Sequence, residues 1–193
     1  MNKLILLIFI SILSSSFACE KGKAYPDETF PEIEIKTSMG DIVVELDRDR
    51  APITVNNFLK YVKSGAFKDT IFHRVEKDFV IQGGGYLKGY KEVVSCGKIF
   101  NESGNGLKNT RGTIAMARYD DPHSATSQFY FNLIDTPSLD PNAKNWGYTV
   151  FGEVVEGMEI LDAISQVRVG YSKKIDSTSV PIEAITILEI KIL

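Results

Sequence analysis

The sequence predicts an all-β fold, a barrel with two helical caps. Three features carry that expectation: many short apolar runs with two-residue alternation, only two stretches with helical spacing, and no regular alternation of strand with helix. Closure is favoured over an open sandwich because the first and last alternating runs carry neither Pro nor a run of Lys to protect a sheet edge.

Composition sets the bounds. Hydrophobic residues at 44% and charged residues at 24% of a 193-residue chain suit one core of ordinary size. The formal net charge is only -3 and no block of like charge occurs, which argues against nucleic-acid electrostatics. Two His leave little material for a metal site, so chemistry without metal or cofactor is expected.

The amino terminus reads as an export signal over 1–18. Lys3 precedes an apolar run from Leu4 to Leu13, too short to span a bilayer comfortably, and Ser14 to Ser16 follow. Two cleavage patterns compete at Ser16-Phe17-Ala18-Cys19. Small residues at Ser16 and Ala18 suit ordinary signal peptidase, while Cys19 after Ala18 resembles a bacterial lipobox, with Ser16 and Phe17 as departures from it. The lipobox pattern makes Cys19 the lipidation candidate and the protein exported, periplasmic or held at a membrane by an N-terminal lipid. Cys19 and Cys96 are the only cysteines, so a disulfide framework is excluded, although the two could pair if Cys19 carries no lipid. Residues 19–30 read as a flexible tether and 31–193 as one domain.

Within that domain, Ile33 and Ile35, then Ile42, Val44 and Leu46, alternate on either side of a turn at Ser38 to Asp41, predicting a hairpin. Pro52 opens a helix whose Val55, Phe58, Leu59 and Val62 recur at helical spacing until Gly65. One strand is expected from Ile71 to Gln82, ended by Gly83, Gly84 and Gly85. Tyr86 to Leu107 reads as a long loop with a short strand near Ile99. Further strands are expected at Thr113 to Arg118, Gln128 to Leu133, Tyr148 to Phe151 and Ile185 to Ile192, with a second helix from Glu156 to Gln166.

Phe72 to Gly85, reading FHRVEKDFVIQGGG, holds the chemistry. Regular alternation along one strand would put Arg74 on a face with Phe72, Glu76 and Gln82, presenting a guanidinium and an amide along one groove. Gln128 to Phe131 again combines an amide with rings, and with Met116 these residues could build an apolar pocket flanked by a few fixed donors. A phosphate-cradling role for the glycines is not supported, since no helix start and no Lys-Ser or Lys-Thr follow. They suit a sharp exit or a close backbone approach. No Ser or Cys lies in a nucleophile-elbow pattern.

FHRVEKDFVIQGGG, followed by GTIAMAR at 112–118, SQFYFNL at 127–133 and YTVFGEVVEGM at 148–158, resembles the cyclophilin family of peptidyl-prolyl cis-trans isomerases, most of all its bacterial members. The ordered match runs from about Glu32 to the C-terminus. The resemblance implies an eight-stranded closed antiparallel barrel capped by two α-helices, with the groove on its outer face. It implies Arg74 as the catalytic residue and Phe79, Val80, Gln82, Ala117, Gln128, Tyr130, Leu139 and Tyr148 as substrate-binding residues.

His73 takes a supporting structural place, because the reaction transfers no proton; His123, in the polar turn DPHSATS, is read as structural or solvent-facing. Val80, Tyr130 and Tyr148 stand where other members often carry Met, Phe and His, and they keep the wall apolar or aromatic. Ser138 stands where cyclosporin-sensitive members carry tryptophan, which implies weak cyclosporin binding. The implied partners are proline-containing segments of unfolded or partly folded proteins, and the implied state is a monomer. A non-catalytic module that binds such segments is the alternative, and the presence of both Arg74 and Gln82 favours the enzyme.

Overall fold

The computed structural model describes residues 28–193. The expected export signal, most of the expected tether and Cys19 lie outside the described residues. At the start of what is described, Arg48 fastens the chain: its NH1 donates to the Glu28 carbonyl, and its backbone N–H donates to the Thr29 carbonyl at 3.0 Å.

β1 (Glu32–Thr37) and β2 (Gly40–Leu46) form the expected hairpin. Their alternation sends Ile33, Ile35, Ile42, Val44 and Leu46 into the core and leaves Glu34 and Lys36 partly exposed. α1 (Pro52–Lys63) follows and lays Val55, Phe58, Leu59, Tyr61 and Val62 on the barrel. Its N-cap residue Ala51 offers no side-chain acceptor. Glu102, 49 residues beyond Ile53, substitutes: its carboxylate accepts from the N–H of Ile53 at 3.0 Å, and from the N–H and hydroxyl of Thr54 at 2.8 and 2.7 Å.

The remaining strands are β3 (Thr70–Phe72), β4 (Arg74–Glu76), β5 (Val80–Gly83), β6 (Thr113–Met116), β7 (Phe129–Asn132), β8 (Val150–Glu156), β9 (Val169–Ser172), β10 (Ser177–Pro181) and β11 (Ile185–Ile192). α2 (Met158–Ser165) separates β8 from β9. Nine strands make one sheet in the order β3-β11-β1-β2-β8-β6-β7-β5-β4, every pairing antiparallel. Its two ends, β3 and β4, are separated in the chain only by His73. Counted as one bent strand they reduce nine to the expected eight, and the sheet is a nearly closed barrel. Two hydrogen bonds carry pairing across that seam, His73 N–H to the Gln82 carbonyl at 3.1 Å and Ile71 N–H to the Tyr86 carbonyl at 2.9 Å.

The expected single strand from Ile71 to Gln82 is therefore corrected to three pieces. β4 and β5 form a hairpin across Lys77, Asp78 and Phe79, in which Asp78 takes the left-handed conformation (φ 58°) and the Phe79 N–H closes onto the Glu76 carbonyl at 3.1 Å. Asp tolerates that conformation better than most residues do. The bend at His73 shifts the alternation by one, so Phe72 and Val75, three apart, both face the core. Arg74 consequently shares the outer face with Glu76 but not with Phe72, contrary to the expectation from unbroken alternation.

Other elements differ at their limits. The strand expected at Tyr148 to Phe151 is β8, which starts and ends later, and β6 stops at Met116. The β9–β10 hairpin was not anticipated, because its residues are mostly polar or exposed and show no apolar period. The long loop after β5 holds only isolated bridges, one of them at Ile99 with Ala125.

Aromatic rings fill the interior. Phe58 of α1 packs within 5.0 to 5.4 Å of Phe67, Phe129 and Phe151, and Phe129 meets Phe67, Phe72 and Phe131 edge-on. Gly84 lies against this cluster with φ 75°, and a Cβ there would come within 2.8 Å of the Phe129 ring and of the Ser127 carbonyl.

Candidate active site

Strand register assembles the site. Arg74 pairs with Gln82 across β4 and β5, Gln82 with Tyr130 across β5 and β7, Tyr130 with Ala115 across β7 and β6, and Ala115 with Val150 across β6 and β8. One row thus crosses five strands of the outer face, from a guanidinium at one end to aliphatic side chains at the other.

At the polar end, one oxygen of Glu76 accepts from Arg74 Nε at 3.1 Å and NH2 at 2.7 Å. Arg74 NH1 donates to Gln82 Oε1 at 3.3 Å, and Gln82 Nε2 donates to Gln128 Oε1 at 2.8 Å. The guanidinium carbon lies 5.7 Å from the centre of the Phe79 ring. Gln128 has room there because Gly85 is bare: a Cβ on Gly85 would fall 2.6 Å from the Gln128 side chain. A groove of about 210 Å³ opens here, lined by Arg74, Gln82, Gln128, Ala117, Arg118 and Tyr86 among others.

The apolar end is a second, outer cluster separate from the barrel core. Val80, Ala115, Tyr130 and Val150 are buried in it, and Phe79, Leu107, Ala117, Leu139 and Tyr148 pack against them while remaining partly accessible. Tyr130 and Tyr148 meet edge-on at 5.9 Å. The Tyr148 N–H donates to the Leu139 carbonyl at 2.9 Å, and Ala117 N–H to the Gln128 carbonyl at 3.0 Å. The Tyr130 hydroxyl points to Asn109 Oδ1 at 2.7 Å. Burial, then the neighbouring Tyr148 and Asp140, push that hydroxyl's pKa well above its usual value, so it stays a donor.

His73 sits behind the groove, 5% exposed, with its ring 4.8 Å from Tyr86. Burial lowers its pKa from 6.5 to about 4; the Ile71 backbone opposes this, the Arg74 charge adds to it, and the Gln128 side chain opposes it. It is neutral near pH 7, and its buried Nδ1 lacks a well-aligned partner.

The fold thus brings together all nine residues singled out as catalytic or substrate-binding, with His73 beside them. Met116 is one exception among the pocket residues expected from sequence: it is 2% exposed and belongs to the barrel core, because alternation along β6 turns Ala115 outward and Met116 inward. Phe129 and Phe131 point inward for the same reason, leaving Gln128 and Tyr130 of that run on the outer face. His123 lies between the rings of Phe100 and Trp146, at 5.3 and 5.2 Å.

Arg118 escaped the sequence reading. Its guanidinium stacks 4.5 Å from the centre of the Tyr148 ring and donates to the carbonyls of Gly147, Tyr119 and Trp146. Proximity to Ala117 in the sequence was the only available signal.

The arrangement offers a fixed cation and two amides beside an aromatic and aliphatic wall, suited to holding an apolar ring next to a charged donor. A family model described as cyclophilin type peptidyl-prolyl cis-trans isomerase/CLD matches residues 32–192. The chain belongs to the cyclophilin family. Like its relatives, this cyclophilin is a peptidyl-prolyl cis-trans isomerase. It is 47% identical over 164 residues to peptidyl-prolyl cis-trans isomerase cyp18 of Streptomyces antibioticus, covering 83% of this chain and 98% of that one. To peptidyl-prolyl cis-trans isomerase B of Escherichia coli K12 it is 46% identical over 163 residues, covering 81% and 99%. Among solved structures, a cyclophilin type isomerase of Cryptosporidium parvum superposes with a TM-score of 0.72 at 30% identity, covering 85% of this cyclophilin and 98% of that chain.

Proposed function

We propose that this cyclophilin speeds X-Pro isomerisation in exported proteins as they fold, with Arg74 as its catalytic residue. The row from Arg74 through Gln82 and Tyr130 to Val150 carries this reading, because it sets a charged donor beside an apolar wall at the spacing of neighbouring strands. A relative of known structure, the Cryptosporidium parvum isomerase, has also been solved in the presence of the dipeptide Ala-Pro, and it superposes with a TM-score of 0.69 at 29% identity. Proline-containing segments are accordingly the substrate proposed here.

The X-Pro bond resists rotation by about 18 to 20 kcal/mol because twisting sacrifices amide resonance. As it twists, the proline nitrogen becomes pyramidal and basic. A hydrogen bond from Arg74 to that nitrogen is strong in the twisted state and weak in the planar one, so it lowers the barrier without tightening ground-state binding. Phe79, Val80, Ala117, Tyr130, Leu139 and Tyr148 hold the pyrrolidine ring, and Gln82 and Gln128 hold the peptide backbone. Neutral His73 takes no part in proton transfer.

The proposal of export rests on Lys3, the run Leu4 to Leu13 and the Ser16 to Cys19 pattern. We place the protein in the periplasm or at a membrane through lipid on Cys19, as a monomer. Intact mass of the mature chain tests the lipid: a diacylglycerol shift supports it, and an unmodified Cys19 overturns it.

A protease-coupled assay on an X-Pro peptide tests Arg74. Removing a hydrogen bond from a charged group costs about 1.5 to 3 kcal/mol, so Arg74→Ala should lose roughly 10- to 150-fold in kcat/KM. Full activity in a folded Arg74→Ala protein would refute the assignment.

A further inference from the structure

We propose that Glu76 is a positioning residue for Arg74, and that Ser179 of the β9–β10 hairpin in turn fixes Glu76. The inference rests on Arg74 as the catalytic residue.

Glu76 shares the outer face of β4 with Arg74 at a two-residue spacing, within reach of the guanidinium. Its Oε1 receives three donors: Arg74 Nε at 3.1 Å, Arg74 NH2 at 2.7 Å and the Ser179 hydroxyl at 3.2 Å. On the opposite side, Gln82 Oε1 accepts from NH1 at 3.3 Å, beyond the usual range of about 2.7–3.2 Å for an N–H···O bond. Glu76 is therefore the firmer of the two holds on Arg74. It occupies the Nε/NH2 edge and leaves the NH1 end beside Gln82.

Arg74 lines the groove and Glu76 does not, so the carboxylate acts on the reaction only through the guanidinium. As a stabilising element the pair contributes little, since both side chains are about one-third exposed, at 33% and 35%. Its effect is on orientation. An arginine carries several rotatable bonds, and a hydrogen bond to a twisting nitrogen weakens steeply as its angle closes, so a guanidinium fixed before substrate arrives favours the transition state. The carboxylate also offsets part of the guanidinium charge. Orientation outweighs that loss because the bond to the proline nitrogen is directional, whereas charge offset in a site one-third exposed is screened.

The experiment measures kcat and KM on an X-Pro peptide for wild type, Glu76→Ala, Glu76→Gln, Ser179→Ala, Arg74→Ala and the Arg74→Ala/Glu76→Ala double variant. Glu76→Ala is expected to lower kcat by about tenfold with KM within about twofold, since only transition-state contacts are lost. Glu76→Gln, whose amide oxygen still accepts, should recover most of the rate, and Ser179→Ala should lose about two- to threefold. The double variant should be no slower than Arg74→Ala. Should Glu76→Ala fail to fold, Glu76→Thr replaces it, because Thr suits a strand and cannot reach the guanidinium.

A kcat for the Glu76 variant equal to or above wild type overturns the proposal, and so does further slowing of Arg74→Ala by the second substitution. Wild-type rates in Arg74→Ala would instead overturn the assignment of Arg74 itself. A slow Arg74→Ala beside a normal Glu76 variant overturns only the positioning role.

Discussion

Tyr130→Phe separates the two things a tyrosine could do in this wall. The substitution deletes one oxygen and keeps the ring that meets Tyr148 at 5.9 Å. What is lost is the hydrogen bond to Asn109 Oδ1 at 2.7 Å, buried with both residues. Asn109 does not become an orphan. Its Oδ1 still accepts from Asn132 Nδ2 at 3.2 Å, and its own backbone N–H and Nδ2 still donate to Asp140 at 2.8 and 3.0 Å. The loss is then one net hydrogen bond, about 1 kcal/mol, with none of the larger penalty that attends an unsatisfied acceptor. For a domain of this size that corresponds to a fall in Tm of roughly 2–4 °C. Because the hydroxyl is directed to Asn109, kcat/KM should stay within about twofold of wild type. Thermal denaturation and the coupled isomerisation assay on the same preparation give both numbers. A tenfold fall in kcat/KM at unchanged Tm would mean that the hydroxyl acts on substrate, and the wall-only role would be wrong.

His73 carries a pH prediction. Its folded pKa, about 4, lies below the ordinary 6.5, so as pH falls the unfolded chain takes up the proton first. Its contribution to stability is complete above about pH 6.5, is lost between about 6.5 and 4, and amounts to about 3 kcal/mol. Urea unfolding of His73→Gln across that window should show a flatter dependence than wild type, and an unchanged slope would refute it. Ser138, exposed on the 3-10 turn Pro137–Leu139 beside the wall residue Leu139, stands where the resemblance implies the tryptophan of cyclosporin-sensitive members. Cyclosporin should inhibit weakly and Ser138→Trp should strengthen it; tight inhibition of wild type would count against this.

Which parts of this were readable beforehand depends on what kind of interaction fixes each part. The hairpin of β1 and β2 and the helix α1 follow from burial periodicity, and their buried apolar residues lie where alternation or helical spacing puts them; β11 keeps its alternation only to Ile187, after which a slip of register against β1 leaves Leu188 exposed and buries Ile190. The bend at His73 was not readable, because a one-residue slip of alternation depends on barrel curvature and leaves no compositional mark. Lys77-Asp78 was a fair turn signal within FHRVEKDFVIQGGG, and treating the run as one strand hid it. Arg74 and Gln82 still share a face, as neighbours across a hairpin rather than as distant positions on one strand.

Glu76 was seen only as a residue of matching parity, since its partner Ser179 lies 103 residues away and no local pattern announces that contact. The Glu102 cap of α1 escaped for the same reason: it links segments 48 and 49 residues apart. Long-range polar contacts of this kind are settled by tertiary structure, whereas apolar periodicity is written locally.

The place of β11 between β3 and β1 has a consequence for how the chain matures. β11 comes after every other strand of the sheet in the chain, so both β1 and β3 keep an unpaired edge until it is made. A nascent chain halted before Ile185 would present open edges suited to pairing with other chains, and the barrel ring could not be completed by any earlier segment. Closure thus waits for β11, and loss of Ile185–Ile192 removes the strand that joins β3 to β1.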